Sequence, residues 1–292
     1  MASSQLPHGH DLDRTGVAIS TSVSVVITPS ALSDAWMDQV EKAAARAGLT
    51  VAVTEDASNL GDAPPDLIII SNPLTAADSH GLGVSEASRM LAHAAFFSQR
   101  SVNTLTDASF TASAAASDQG PLPFLEAPPD RPRHSTRPGD PLAIYETGAP
   151  AAGIPFPWSF EIFALDPKAT LLDSHVEIEL VGRARYLVHG PYFWLTPGRW
   201  KAILEFGVDE GATDRRFRAE WGGPTGHTDL PFTPTCPGRY SVELEYDFTE
   251  PSACELRLVL TESVLSGTLH LYNVEVELLS PTIDTQDGLP AS

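Results

Sequence analysis

Pro197-Gly198-Arg199-Trp200-Lys201-Ala202-Ile203-Leu204-Glu205-Phe206 is answered forty positions later by Pro237-Gly238-Arg239-Tyr240-Ser241-Val242-Glu243-Leu244-Glu245-Tyr246. In each copy Pro-Gly makes a tight turn, and Arg opens a run in which apolar and polar residues alternate. That period of two is the signature of a half-buried strand. Trp200, Ala202, Leu204 and Phe206 share one face and read as core, while Lys201, Ile203 and Glu205 take the other. Similar short runs cover residues 160–164, 175–181, 186–188, 193–195, 216–221, 254–261 and 267–279, each bounded by Pro, Gly or Asp. Strands at this density with no convincing helix predict an antiparallel, jelly-roll-like β-sandwich over residues 142–280, followed by a tail at 281–292.

The first half reads differently. Val23-Ser24-Val25-Val26-Ile27 is an apolar, β-branched run, and Ser33 can cap a helix whose apolar residues Trp36, Met37, Val40, Ala43, Ala44 and Ala47 recur at helical spacing up to Gly48. Strands at 49–53, 67–70 and 102–105 follow, with a second helix opening at Ser85. Strands separated by single helices predict a small parallel α/β sheet over residues 21–105, preceded by a polar segment at 1–20. The turn after the first strand, Thr28-Pro29-Ser30-Ala31-Leu32-Ser33, has no glycine, so its backbone is not shaped to cradle a phosphate. This half reads as a scaffold or docking domain. Residues 106–141 join the halves: Ala, Ser and Thr first, then seven prolines between Pro121 and Pro141, a composition that favours a semi-extended linker. Arg131, Arg133, His134 and Arg137 form a basic cluster there, and His8, His10, Asp11 and Asp13 cluster near the start.

Composition excludes whole classes of function. With 18 Lys and Arg against 38 Asp and Glu, the net charge of −20 opposes nucleic-acid binding and attachment to anionic membranes. The longest purely apolar run, Leu67-Ile68-Ile69-Ile70, is far shorter than the ~20 residues of a membrane span, so no membrane insertion is expected. Two cysteines do not make a disulfide scaffold; Cys236 and Cys254 read as free thiols unless their strands lie side by side. The N-terminus shows no basic-then-apolar export signal, so synthesis in the cytoplasm is expected.

Catalytic signatures are missing: there is no G-x-S-x-G elbow, no HExxH and no phosphate loop. No enzyme activity, cofactor or metal is therefore expected. A glycosidase carboxylate pair or a glycosyltransferase stays open, because 38 acids make any one pair uninformative.

The segment His189-Gly190-Pro191-Tyr192-Phe193-Trp194-Leu195-Thr196-Pro197-Gly198-Arg199-Trp200 carries a resemblance. With the second Pro-Gly-Arg-Tyr and the closing Gly267-Thr268-Leu269-His270-Leu271-Tyr272-Asn273-Val274, it resembles carbohydrate-binding β-sandwich modules of bacterial polysaccharide-handling proteins, including glycosyltransferase-associated ones, over residues 175–279. The resemblance implies sugar binding rather than catalysis. Sugar binding needs exposed aromatic faces for the C–H side of a pyranose and polar groups for its hydroxyls. Tyr192, Trp194 and Trp221 are the expected platforms. His227 and Asp229 follow Trp221 in what reads as a flexible loop, and Arg183 and Arg185 are placed to neutralise an acidic sugar. A docking domain, a Pro-rich linker and a sugar-binding sandwich together suit the head spike of a gene transfer agent or other phage-like particle. Such a spike is assembled in the cytoplasm, docked on a protein partner and displayed in several copies. A polysaccharide-synthesis partner and a purely structural particle protein are the alternatives.

Overall fold

Val23, Val25, Val26 and Ile27 of β1 (Ser22–Ile27) are buried on both faces, which places this strand inside a sheet rather than at its edge. In the computed structural model, which describes residues 22–61, 63–79, 81–100, 102–107, 109, 120–128 and 139–282, β1 is followed by α1 (Ser33–Ala47) and β2 (Thr50–Thr54). β3 (Leu67–Ile70), α2 (Ala76–Ser79), α3 (Val84–Ser98) and β4 (Asn103–Thr106) complete this part. The four strands lie in the order β2-β1-β3-β4, all parallel, as the alternation of strands and helices predicts. Gly48 ends α1 at φ +69, a left-handed backbone that glycine adopts without a Cβ clash. Ser33 is the first helical residue rather than the cap. Its Oγ accepts from Ser30 N at 2.8 Å and lies 3.2 Å from the Thr28 carbonyl, so it ties the preceding turn together. The two clusters at 8–13 and 131–137 lie outside the described residues.

The second part is a sandwich of β5 (Pro155–Pro157), β6 (Ala164–Leu165), β7 (Ala169–Leu171), β8 (Val176–Glu179), β9 (Arg185–Leu195), β10 (Gly198–Val208), β11 (Phe217–Gly223), β12 (Gly226–Phe232), β13 (Gly238–Phe248), β14 (Ser252–Leu260) and β15 (Thr268–Pro281). One sheet runs β13-β10-β15-β8-β7 with β5 on β15; the other runs β12-β11-β14-β9-β6. The internal echo is structural: its two copies are β10 and β13, paired antiparallel so that the start of each opposes the end of the other. Gly198 and Gly238 both open their strands at φ +152. Trp200, Ala202, Leu204 and Phe206 are all buried, as their shared face predicts.

Two local expectations change. The runs at 186–188 and 193–195 are one strand, β9, interrupted by bulges opposite β14. The expected loop after Trp221 is instead the hairpin β11-β12, in which Gly222 is needed because a Cβ there would come within 2.3 Å of the Gly226 carbonyl oxygen. Both cysteines are free; Cys254 is buried on β14, where burial pushes its thiol up, and Cys236 is exposed before β13.

The two parts meet through α3, whose apolar face belongs to the same buried cluster as the sandwich core. Ser85 Oγ donates to the Tyr192 carbonyl at 2.8 Å, and Trp194 N donates to Ser88 Oγ at 3.0 Å. Tyr145 Oη donates to the Trp194 carbonyl at 2.6 Å. The described ends of the Pro-rich stretch are anchored as well. Leu122 and Leu125 are buried against the parallel sheet, and Leu142, Ile144 and Tyr145 in the sandwich core. Among the described residues no helix is long and apolar enough to cross a membrane.

Candidate functional site

On β11, Phe217, Ala219 and Trp221 point into the sandwich and are buried, so Arg218, Glu220 and Gly222 take the outer face. Residues directly opposite in neighbouring strands share a face. The register pairs Asp229 with Glu220, Glu220 with Arg257, and Arg257 with His189, one outward row across four strands. The adjacent row runs His227, Gly222, Glu255, Pro191. Folding thus collects polar residues from four separate strands on one rigid surface.

Where this face meets β9 there is a cleft of about 260 Å³ lined by Tyr186, His189, Tyr192, Glu255 and Arg257. Tyr186 and Tyr192 are 51% and 47% exposed, so each ring offers a free face. Their ring centroids lie 6.0 and 6.4 Å from that of His189, both edge-on. Tyr192 is the extra residue of a β9 bulge and sits at φ +60, an unusual backbone for a bulky residue. It is held there from both sides: Oη donates to Glu255 Oε1 at 3.1 Å, while its carbonyl accepts from Ser85 of α3.

Charge in the cleft is fixed. Arg257 bridges two carboxylates, hydrogen-bonding Glu255 through Nη2 and Glu220 Oε2 through Nη1 at 3.1 Å. Glu220 is nearly sealed and also ion-pairs with Arg218 at 2.6 Å. Burial alone would push the Glu255 carboxyl up, but the hydrogen bonds from Arg257 and Tyr192 outweigh it and hold the carboxyl below its ordinary range. Burial, then the Glu255 hydrogen bond, pushes the Tyr192 phenol up. At neutral pH the cleft therefore presents an ionised carboxylate, a guanidinium and a phenol O–H.

The residues expected from sequence divide three ways. Tyr192 lines the cleft, and His227 and Asp229 lie exposed on β12 on the same face, three strands from β9 and so roughly 14 Å from Tyr192 at ~4.8 Å per strand. Trp221 is 0% exposed, packed between Trp158 and Phe248 in the core, and cannot be a platform. Trp194 points outward but is covered by α3, with the His93 ring 5.7 Å away. Arg185 is consumed by Asp166 and by the carbonyls of Glu179, Leu180 and Arg183, so it is not free for an acidic sugar. Arg183 is exposed at the turn before β9, away from the cleft lining. Sequence reading missed Tyr186, His189, Glu255 and Arg257. The signal for the last two was present, since Glu255 and Arg257 alternate with buried Cys254, Leu256 and Leu258.

The α3 seam makes its own prediction. Burial, then the nearby Arg89 charge, holds the His93 imidazole below its ordinary 6.5, against weaker opposing effects of Asp56 and Glu250. A group with a depressed folded pKa contributes stability above its unfolded value and loses it as pH falls through the folded one. Stability should therefore decline as pH drops below 6.5, and His93→Gln should flatten that part of a melting-temperature profile. Trp194→Ala should cost roughly 2 kcal/mol, as a half-buried large-to-small change does, and so lower the melting temperature.

No family model matches the chain, and no curated protein matches it. Among solved structures, similarity is found to the xylan-binding module CBM15, at 8% identity and a TM-score of 0.34, over 44% of this chain and 99% of that one. It is also found to TmCBM61 in complex with β-1,4-galactotriose, at 10% identity and 0.31, over 48% and 94%. A third is the CBM22-1 xylan-binding domain from Paenibacillus barcinonensis Xyn10C, at 8% identity and 0.28, over 41% and 87%.

Proposed function

We propose that the outer face of the β12-β11-β14-β9-β6 sheet binds a polysaccharide without cleaving it. The observation that carries the reading is the cleft itself: two half-exposed tyrosine rings beside a fixed Glu255–Arg257 pair. Ring faces take the C–H side of a sugar, and the carboxylate and guanidinium take its hydroxyls. Strands hold these groups in place, so little ordering accompanies binding. The same contacts hold Glu255 ionised, so it is not the general acid that glycoside cleavage requires.

A nucleotide-sugar reading of the first part fares poorly. Ser30 N, Ala31 N and Leu32 N after β1 are all engaged by the hydroxyls of Ser33, Thr75 and Ser30, so no amide nest faces a phosphate. The parallel sheet instead supports the site, since α3 braces the bulge that carries Tyr192.

In the finer form of this reading the ligand is a bacterial capsular or exopolysaccharide, and the chain is the attachment spike of a phage-like particle such as a gene transfer agent. The sequence resemblance over 175–279 supports it, as does the physics of sugar binding. Hydroxyls exchange water for protein at small net gain, so single sites are weak and adhesion requires several linked copies. Affinity electrophoresis of the full chain through gels containing capsular polysaccharides should show retardation on at least one. Free migration on every capsule would favour a purely structural particle protein.

A further inference from the structure

The other sheet carries a second group of side chains. Glu177 on β8 and His270 on β15 are directly paired in the antiparallel register, so they share a face. His175 precedes Glu177 by two residues and returns to that face. One ligand atom from each of His175, Glu177 and His270 lies within 4.8 Å of the others, and His270 Nδ1 is 3.9 Å from Glu177 Oε2. The two imidazole rings are 5.3 Å apart. His175 is fixed from its own loop: Ser174 Oγ is 3.1 Å from Nδ1, and its carbonyl accepts from Leu172 N at 2.9 Å.

We propose that His175, Glu177 and His270 form a three-ligand site for a divalent transition metal, with zinc as its natural occupant. Two imidazoles and a carboxylate are a donor set for zinc, whereas calcium and magnesium require mostly oxygen. Zinc at about 2.0–2.2 Å from each donor needs the three atoms about 3.3 Å apart. His270 and Glu177 must close by about 0.6 Å and the other pairs by up to about 1.5 Å, which requires rotation of the exposed Glu177 and of the part-buried His175 and His270 side chains. Glu179, Glu275 and Glu277 face outward on the same strands, but Lys168 pairs with Glu179 and Lys201 with Glu277, so Glu177 is the carboxylate left to the two histidines. His175 also lines a cleft of about 460 Å³ with Trp158, Phe160, Asp173 and Ser174. A bound metal would cross-link the loop forming that cleft's rim to β15, with water completing the coordination.

The test uses the full chain, stripped with chelator, with His8→Gln and His10→Gln introduced so that the N-terminal histidines do not compete. Zinc chloride should bind at one equivalent and raise the melting temperature, and cobalt(II) should give the visible absorption of a four-coordinate site. His270→Gln and Glu177→Gln should each weaken zinc at least about tenfold, the loss that even an outer-shell partner can cause. Circular dichroism checks that both variants keep the β signal. No saturable zinc uptake, or variants that bind as the parent does, would overturn the proposal.

Discussion

Trp221→Ala is expected to unfold the sandwich or bring it close to unfolding. The side chain is wholly buried against Trp158 and Phe248, and a Trp-to-Ala truncation in such a place costs about 3–5 kcal/mol. That is a large fraction of the roughly 5–15 kcal/mol that holds a protein folded. Trp221→Phe should cost far less, because it keeps an aromatic ring and removes an indole N–H that has no hydrogen-bond partner among the described residues. Urea unfolding followed by circular dichroism separates the two. A freely folded, stable Trp221→Ala would contradict the packing described here.

The burial of Trp221 is legible in the sequence, against the exposed platform expected of it. In a strand ending at residue 221, alternation sets Trp221 on the face of Phe217 and Ala219, which reads as core. Gly222, Gly223 and Gly226 suggest a flexible loop, but they lie at the turn of the β11-β12 hairpin. Trp194 failed for the opposite reason. Alternation with Phe193 and Leu195 correctly turns it outward, but local pattern carries no record of α3 arriving from a hundred residues away. The echo at 197–206 and 237–246, the four parallel strands and the core face of β10 followed from periodicity alone. The cleft did not. Tyr192 meets Glu255 sixty-three residues on, across a bulge that shifts the register, and bulge positions are set by tertiary packing rather than by pattern. Arg185 shows the same limit: its sequence context suggests a free cation, while Asp166 and three carbonyls take up the guanidinium.

In the proposed function the two exposed tyrosines supply the sugar-stacking surface. If a sugar face covers about 60 Å² of each ring, the contribution at about 25 cal/mol per Å² is about 1.5 kcal/mol per ring, or close to tenfold in affinity. Removing both should then cost on the order of 100-fold, enough to erase a weak single-site interaction. Neither substitution should disturb the fold, since both rings are about half exposed. Tyr192→Phe keeps the ring but loses the bond to Glu255, and should cost less than Tyr192→Ala. The most direct measurement is affinity electrophoresis of the full chain on a capsule that retards the wild type, comparing Trp194→Ala with the double variant Tyr186→Ala/Tyr192→Ala. The account predicts that Trp194→Ala is retarded like the wild type and that the folded double variant migrates as it does without polysaccharide. A double variant still retarded like the wild type would contradict it.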